Sequence, residues 1–199
     1  MSNIIQDGTG ASYGAKVDSN NRLYTQSITE AMSSHAGELG RKFNINTGDI
    51  TLTSSAETTV LYVKNNETYD YIVENLIYNL GNTTGGSGDI KLDLIRNPTA
   101  GAIVSNANAV DINSNQNFGS TITFSSLAYK GATGEAVFSD GTVSVSTRSA
   151  SSTGRIFISL GAIVIPRGVA LGINYTPPTG NTSQICQFAI AGFVQTLEV

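Results

Sequence analysis

The chain has 199 residues, 40% of them hydrophobic and only 13% charged, with a formal net charge of −4. An average soluble domain is roughly 25% charged, so polarity here comes from Ser, Thr, Asn and Gly instead. Its 11 Lys and Arg are scattered among 15 Asp and Glu. That leaves no basic stripe for phosphates and argues against nucleic-acid binding. No run approaches the roughly 20 apolar residues of a membrane helix.

Residues 1–42 carry few apolar side chains: Ile4, Ile5, Tyr13, Val17, Leu23, Tyr24, Ile28, Met32 and Leu39. "DSNN" (Asp18–Asn21) reads as a polar turn. "SITEAMSSHAGELG" is compatible with a short helix, with Thr29 as N-cap and Gly37 or Gly40 as stop. Ordering this much backbone costs more than burying so few apolar groups returns. The segment is therefore expected to be either a flexible terminus or an extended arm, ordered by a partner through strand addition to a sheet edge. No charged n-region followed by an apolar h-region opens the chain, so an export signal is not expected.

From Phe43 onward the pattern changes to period two, and residues 43–199 are expected to form one domain. "DITLT" (Asp49–Thr53), "TTVLYVK" (Thr58–Lys64) and "DYIVENLIYNL" (Asp70–Leu80) read as strands, the last with a bulge near Asn75. "NTTGGSGD" is a glycine loop, but no helix follows it, so it lacks the geometry of a phosphate loop. "IKLDLI" (Ile90–Ile95) alternates, with Ile90, Leu92 and Leu94 on one face. "STITFSS" (Ser120–Ser126) and "TVSVS" (Thr142–Ser146) follow, the latter after an Asp-Gly turn. "RIFISLGAIVI" (Arg155–Ile165) and "VALGINY" (Val169–Tyr175) flank "PRG". "QICQFAIAGFVQTLEV" (Gln184–Val199) is apolar at nearly every position and should be a central strand covered on both faces, because an exposed edge of that kind would aggregate. About eight to ten short strands with Gly, Asn and Ser turns predict an all-β, antiparallel β-sandwich of jelly-roll type.

Several side chains were weighed for chemistry. His35 is the single histidine; it lies outside the β region, and no nucleophile-elbow motif accompanies it. Cys186, the single cysteine, is expected to be a buried inert thiol. Asp111, Asn113 and Asn115 imitate the start of a calcium loop, but Gln116 and Ile122 stand where such a loop needs Gly and Glu. Asp89 and Asp93 read as solvated strand-edge acids rather than a glycosidase pair. Tyr62, Tyr69, Tyr71 and Tyr78 fall on or beside strands, where core or rim packing is expected. No enzyme activity, cofactor or metal follows from these residues.

"DGTGASYGAKVDSNNRL", "HAGE", "FNINTGDITLTSSAETTVLYVKNNE" and "IPRGVALGINYTPPTGNTSQICQFAIAGF" together resemble small structural proteins of tailed phages, the capsid cement or decoration proteins. The resemblance implies a non-enzymatic virion protein made in the host cytoplasm. Such a protein is a β-sandwich, often a homotrimer, that binds the major capsid protein shell from outside and stabilises the head. No catalytic residue carries over. Under that resemblance, apolar character places capsid-facing contacts at Tyr13, Val17, Leu23 and Tyr24. It places contacts between subunits at Tyr175, Phe188 and Phe193. The group blurs into tail, head-fibre and adaptor proteins, so a receptor- or carbohydrate-binding sandwich is the alternative reading.

Overall fold

The computed structural model describes residues 32–104, 108–113, 118–150 and 153–195. By contacts the chain divides into two units, Met1–Ala31 and Met32–Val199. The first lies outside the described residues, so the division falls earlier than the 42/43 boundary expected from the sequence. The second opens with a short helix, α1 (Met32–Glu38). Eleven strands follow: β1 (Lys42–Asn46), β2 (Ile50–Leu52), β3 (Thr58–Lys64), β4 (Asp70–Leu80), β5 (Ile90–Arg96), β6 (Ile112–Asn113), β7 (Leu127–Lys130), β8 (Thr142–Ser149), β9 (Gly154–Ile165), β10 (Ala170–Thr176) and β11 (Gln184–Gln195).

The strands form two antiparallel sheets. One runs β6-β1-β11-β4-β9, with β2 also pairing β11; the other runs β7-β3-β10-β5-β8. Number the eight longest strands one to eight along the chain, leaving out β2, β6 and β7. The first sheet then reads one, eight, three, six, and the second reads two, seven, four, five. Every step between consecutive strands crosses to the other sheet except four to five, which pair in one sheet; this is the jelly-roll arrangement the short regular strands predicted.

Period-two alternation builds the core. On β5, Ile90, Leu92 and Leu94 point inward and are at most 1% exposed. They meet Phe43, Ile45, Leu76, Tyr78, Phe188 and Ile190 from the opposite sheet. The Phe188 ring packs against Tyr78 and Tyr175, with centroids 6.2 and 5.2 Å away. Desolvation makes an unpaired buried polar group costly; among the described residues Asn44 Oδ1 and Tyr71 Oη stay without a hydrogen-bond partner, while the following groups are paired. Tyr175 Oη donates to Gln184 Oε1 at 3.0 Å. Asn181 Nδ2 donates to the carbonyls of Leu52 and Ser54, and Thr83 Oγ1 donates to Asn181 Oδ1 at 2.9 Å, so the turn after β10 is tied both to the end of β2 and to the glycine loop.

The expected bulge in β4 is present. Glu74 has no partner in the register with β11, which steps from Val73 opposite Gly192 to Asn75 opposite Ala191. A register shift falls at the same place in the pairing with β9. Helix α1 packs on this region. Ser33 Oγ donates to Glu74 Oε2 at 3.0 Å, and Ala36 buries itself against Ile72 and Phe193. The helix ends at Gly40, whose φ is +69°. Gly40 N bonds Gly37 O and Arg41 N bonds Ala36 O, the paired bonds of a Schellman cap.

One expected strand does not form. Residues 120–126 belong to no strand, although Ile122 and Phe124 alternate with polar neighbours. The amide of Ser126 donates to Glu67 Oε1 at 2.9 Å, and the Ser125 amide donates to the same oxygen. A carboxylate thus takes donors that a sheet neighbour would otherwise use. Regular pairing starts only at Leu127, on β7 against β3.

Candidate interaction surface

The sandwich has two lateral sides, and they are finished differently. On one side lie β1, β6 and β7. Here a bridge joins Ala109 to Tyr129, and Val110 N donates to Ala128 O. Phe124, from the unpaired 120–126 segment, packs edge-on against Phe43 and Tyr71 with centroids 6.5 and 6.0 Å away. Phe43 and Tyr71 stack at 4.6 Å. A cleft of about 220 Å³ remains there, between Arg41, Glu67, Tyr69, Phe124 and Val194. This side is closed by chain segments that lie across it.

The outer face of the second sheet is also covered. Phe138 lies over Gly172, where a Cβ would collide with its ring. Around it Tyr62, Tyr129, Ala170 and Ile103 form a small separate core with Ala100. Thr59 Oγ1 donates to Asn174 Oδ1 at 2.9 Å beneath this layer. Farther along the same face, Asp93 accepts from Ser146 Oγ at 2.6 Å and pairs with Lys91 Nζ at 2.5 Å. The hydrogen bond to Asp93 holds the Lys91 ammonium above its ordinary pKa.

Among the described residues, no segment lies across the opposite lateral side. There β9 ends one sheet and β8 ends the other. A cavity of about 230 Å³ lies between them, lined by Ser144 of β8, Ile163–Ile165 of β9 and Val169–Leu171. Ile156, Ile158, Leu160 and Ile163 touch the core yet are only partly buried. Outward-facing Phe157 is 57% exposed, Val164 48% and Val143 54%. A twelve-residue apolar edge strand of this kind offers unpaired backbone to another strand. Between Gly141 and Ile165 the only charged residues are Arg148 and Arg155, with no acid.

The residues expected to carry function fall as follows. Tyr13, Val17, Leu23 and Tyr24 lie outside the described residues. Tyr175 and Phe188 are wholly buried inside the chain's own core. The expectation that these two face another subunit is corrected: their apolar area is already spent between the sheets. Phe193, at 7% exposure, packs under α1 against Ile72 and Ala36, so it too is used within the chain. Asp93 is 4% exposed and corrects the expectation of a solvated strand-edge acid, whereas Asp89 is exposed. The two acids therefore differ in surroundings.

Of the tyrosines, Tyr62, Tyr71 and Tyr78 are buried and Tyr69 is exposed. His35 sits exposed on α1. Residues 114–117 of the calcium-like stretch lie outside the described residues, while Ile112 and Asn113 form β6. Among the described residues, no three His, Cys, Asp or Glu side chains cluster as metal ligands. No helix among them is long and apolar enough to cross a membrane. Cys186 is buried at 1% exposure, and burial pushes its thiol pKa up to about 12, which removes the reactive thiolate at neutral pH.

The open-side residues Phe157, Val164 and Val143 were not singled out in the sequence. A signal for them existed: "RIFISLGAIVI" is apolar at both parities, like the central strand β11. Which of two such strands ends a sheet depends on strand order, and local pattern does not encode that order.

No family model matches the chain, and no curated protein matches it. Among solved structures, a chain of tomato aspermy virus, solved by X-ray crystallography, aligns with 10% identity and a TM-score of 0.26. It covers 89% of this chain and 86% of that one. A likeness that distant carries no argument about function.

Proposed function

We propose that the protein is a non-enzymatic structural subunit of a virion, a cement protein that binds the major capsid protein shell and stabilises the head. The observation that carries this reading is the open β8/β9 side. Described residues that cover one side of the sandwich and leave the other apolar suit a protein whose remaining side is covered by another protein. The jelly-roll strand order agrees, since viral capsid proteins use this architecture. That support is fold-level analogy, because lectins use it as well. The sequence resemblance to phage decoration proteins selects between the two. The mechanism is mass action: a subunit that binds only the mature shell stabilises it by its binding free energy. Many copies straddling neighbouring capsid subunits add avidity.

Quantitative mass spectrometry of purified virions tests the reading through copy number relative to the major capsid protein. Near-equal numbers are expected. A few copies per particle would instead indicate a tail, fibre or adaptor component and move receptor binding to the front. Absence from the particle would refute a virion role.

A further inference from the structure

We infer that Glu67 is a two-position catch on the closed side of the sandwich. In one position it holds the 120–126 segment through Ser125 and Ser126; in the other it turns to the Tyr71 hydroxyl, and the segment lifts away from β1. The inference goes beyond the structural-subunit reading and does not rest on it.

The structure shows the first position. Glu67 Oε1 is in reach of four donors: the amides of Ser125 and Ser126, and both of their hydroxyls, each 3.2 Å away. Oε2 takes none of the four. A carboxylate has about four lone-pair sites spread over two oxygens, so one oxygen is crowded while the other is unused. Ser126 has a second acceptor within reach. Its hydroxyl lies 3.4 Å from Asn65 Oδ1, and its single proton serves only one of the two.

An unpaired donor marks the second position. Tyr71 Oη is buried and has no hydrogen-bond partner among the described residues, a costly state that calls for a reason. Its surroundings show in its pKa: burial raises it, the Ser126 hydroxyl opposes that rise, and the charge on Glu67 adds to it. The phenol thus sits beside both halves of the catch without bonding either. Rotation of the Glu67 side chain supplies the missing acceptor. The backbone beneath stays fixed, because Asn65 Nδ2 donates to the Tyr69 and Ile165 carbonyls and Asn65 Oδ1 accepts from the Glu67 amide, all at 2.8 Å.

The held segment is lightly tied. Besides the Glu67 bonds, Ser126 Oγ accepts from the Asn66 amide at 2.9 Å, and Ser120 Oγ donates to the Gly40 carbonyl at 3.3 Å. Clefts of about 220 and 420 Å³ both reach Ile122, Thr123 and Phe124, so open space flanks it. Few bonds and open space characterise a segment that opens locally. Lifting it uncovers Phe43 and Tyr71, on which Phe124 packs. In the register with β1, β6 pairs only Asn44 and Ile45, so the same movement bares strand edge beside Phe43.

Amide hydrogen exchange of the full chain, resolved at Ser125 and Ser126, tests the catch. Tyr71→Phe removes only the hydroxyl that stabilises the second position. Exchange at the two amides is expected to slow about three- to tenfold, the worth of one hydrogen bond. No change, or faster exchange, would overturn the inference, because a merely structural hydroxyl behaves in that way. Glu67→Ala removes the catch and should speed the same amides at least about tenfold. Unchanged β11 amides verify that the sandwich stays folded. On top of Glu67→Ala, Tyr71→Phe is expected to have no effect, since the two groups act through one contact. Equal slowing with and without Glu67 would overturn the inference. So would exchange at Ser125 and Ser126 as slow as in β11 of the unmodified chain, because the segment would then open only when the sandwich unfolds. If Glu67→Ala unfolds the chain, Tyr71→Phe alone decides, since its hydroxyl holds no bond to lose.

Discussion

Strands β9 and β11 are each twelve residues long, strongly apolar, and both pair with β4 in one sheet. Yet β11 is central, flanked by β4 on one side and by β1 and β2 on the other, while β9 has a neighbour on one side only among the described residues. Phe188 of β11 is fully buried, and Phe157 of β9 is more than half exposed. Hydrophobic sequence therefore states that a strand wants covering. It does not state whether the cover comes from the same chain.

Phe188→Ala and Phe157→Ala put the comparison to its largest test. The first empties a site between two tyrosine rings and should cost about 3–5 kcal/mol. The second should change the stability of a dilute chain by less than about 0.5 kcal/mol. Urea unfolding of the two variants measures both, and comparable losses would erase the distinction between the strands.

Glycines sharpen it further. A Cβ at Gly192 of β11 would strike the Ile72 carbonyl oxygen, so Gly192→Ala should cost about 1–3 kcal/mol through forced backbone shifts. Gly161 of β9 faces open space but has φ of +71°. Its replacement by Ala costs only the left-handed strain, about 1–2 kcal/mol. Thermal melts of the two variants rank them, and a larger loss at Gly161 would mean that the edge is already covered.

The buried end of β11 has a pH signature that β9 lacks. Folding raises the Cys186 thiol from an ordinary 9.0 to about 12. Below pH 9 the thiol is neutral in both states and full stability is present. Between about pH 9 and 12 the unfolded thiol ionises first, so stability falls by about 1.4 kcal/mol per pH unit from this group. Tyr71 and Tyr175, whose hydroxyl pKa values burial raises, add loss in the same direction above their ordinary value of 10.0. Stability of Cys186→Ala against pH should show a shallower fall just above pH 9, and an unchanged slope would refute the assignment. Tyr175→Phe should cost about 1–2 kcal/mol by removing the buried donor to Gln184, measured by the same unfolding curves.

Much of the fold was legible in the sequence. β3 and β4 run over the residues their alternation predicts, and even the irregularity near Asn75 showed, because apolar positions switch parity there. The jelly-roll class followed from strand number and turn chemistry. What could not be read was anything decided by distant partners. Residues 120–126 have strand pattern, but Glu67 takes the amides of Ser125 and Ser126. Helix α1 looked marginal because its apolar residues are few; Ala36 gains its burial from Ile72 and Phe193, which lie far along the chain. Tyr175 and Phe188 were expected on a surface from apolar character alone, yet both are buried between the chain's own two sheets.

The bulge at Glu74 acts on β4 as a frameshift acts on a reading frame. Before it, odd-numbered residues Tyr71 and Val73 face the core; after it, even-numbered Leu76, Tyr78 and Leu80 do. β11 keeps one parity throughout, so the correction belongs to β4 and is repeated in β9. Losing one residue at this point would put every inward side chain on one half of β4 out of frame with its neighbours. A second single-residue change elsewhere in the strand could restore the frame, but only between the two edits would the faces stay inverted. In this sheet, length variants should therefore survive in compensating pairs, while substitutions at Glu74 itself are read in frame.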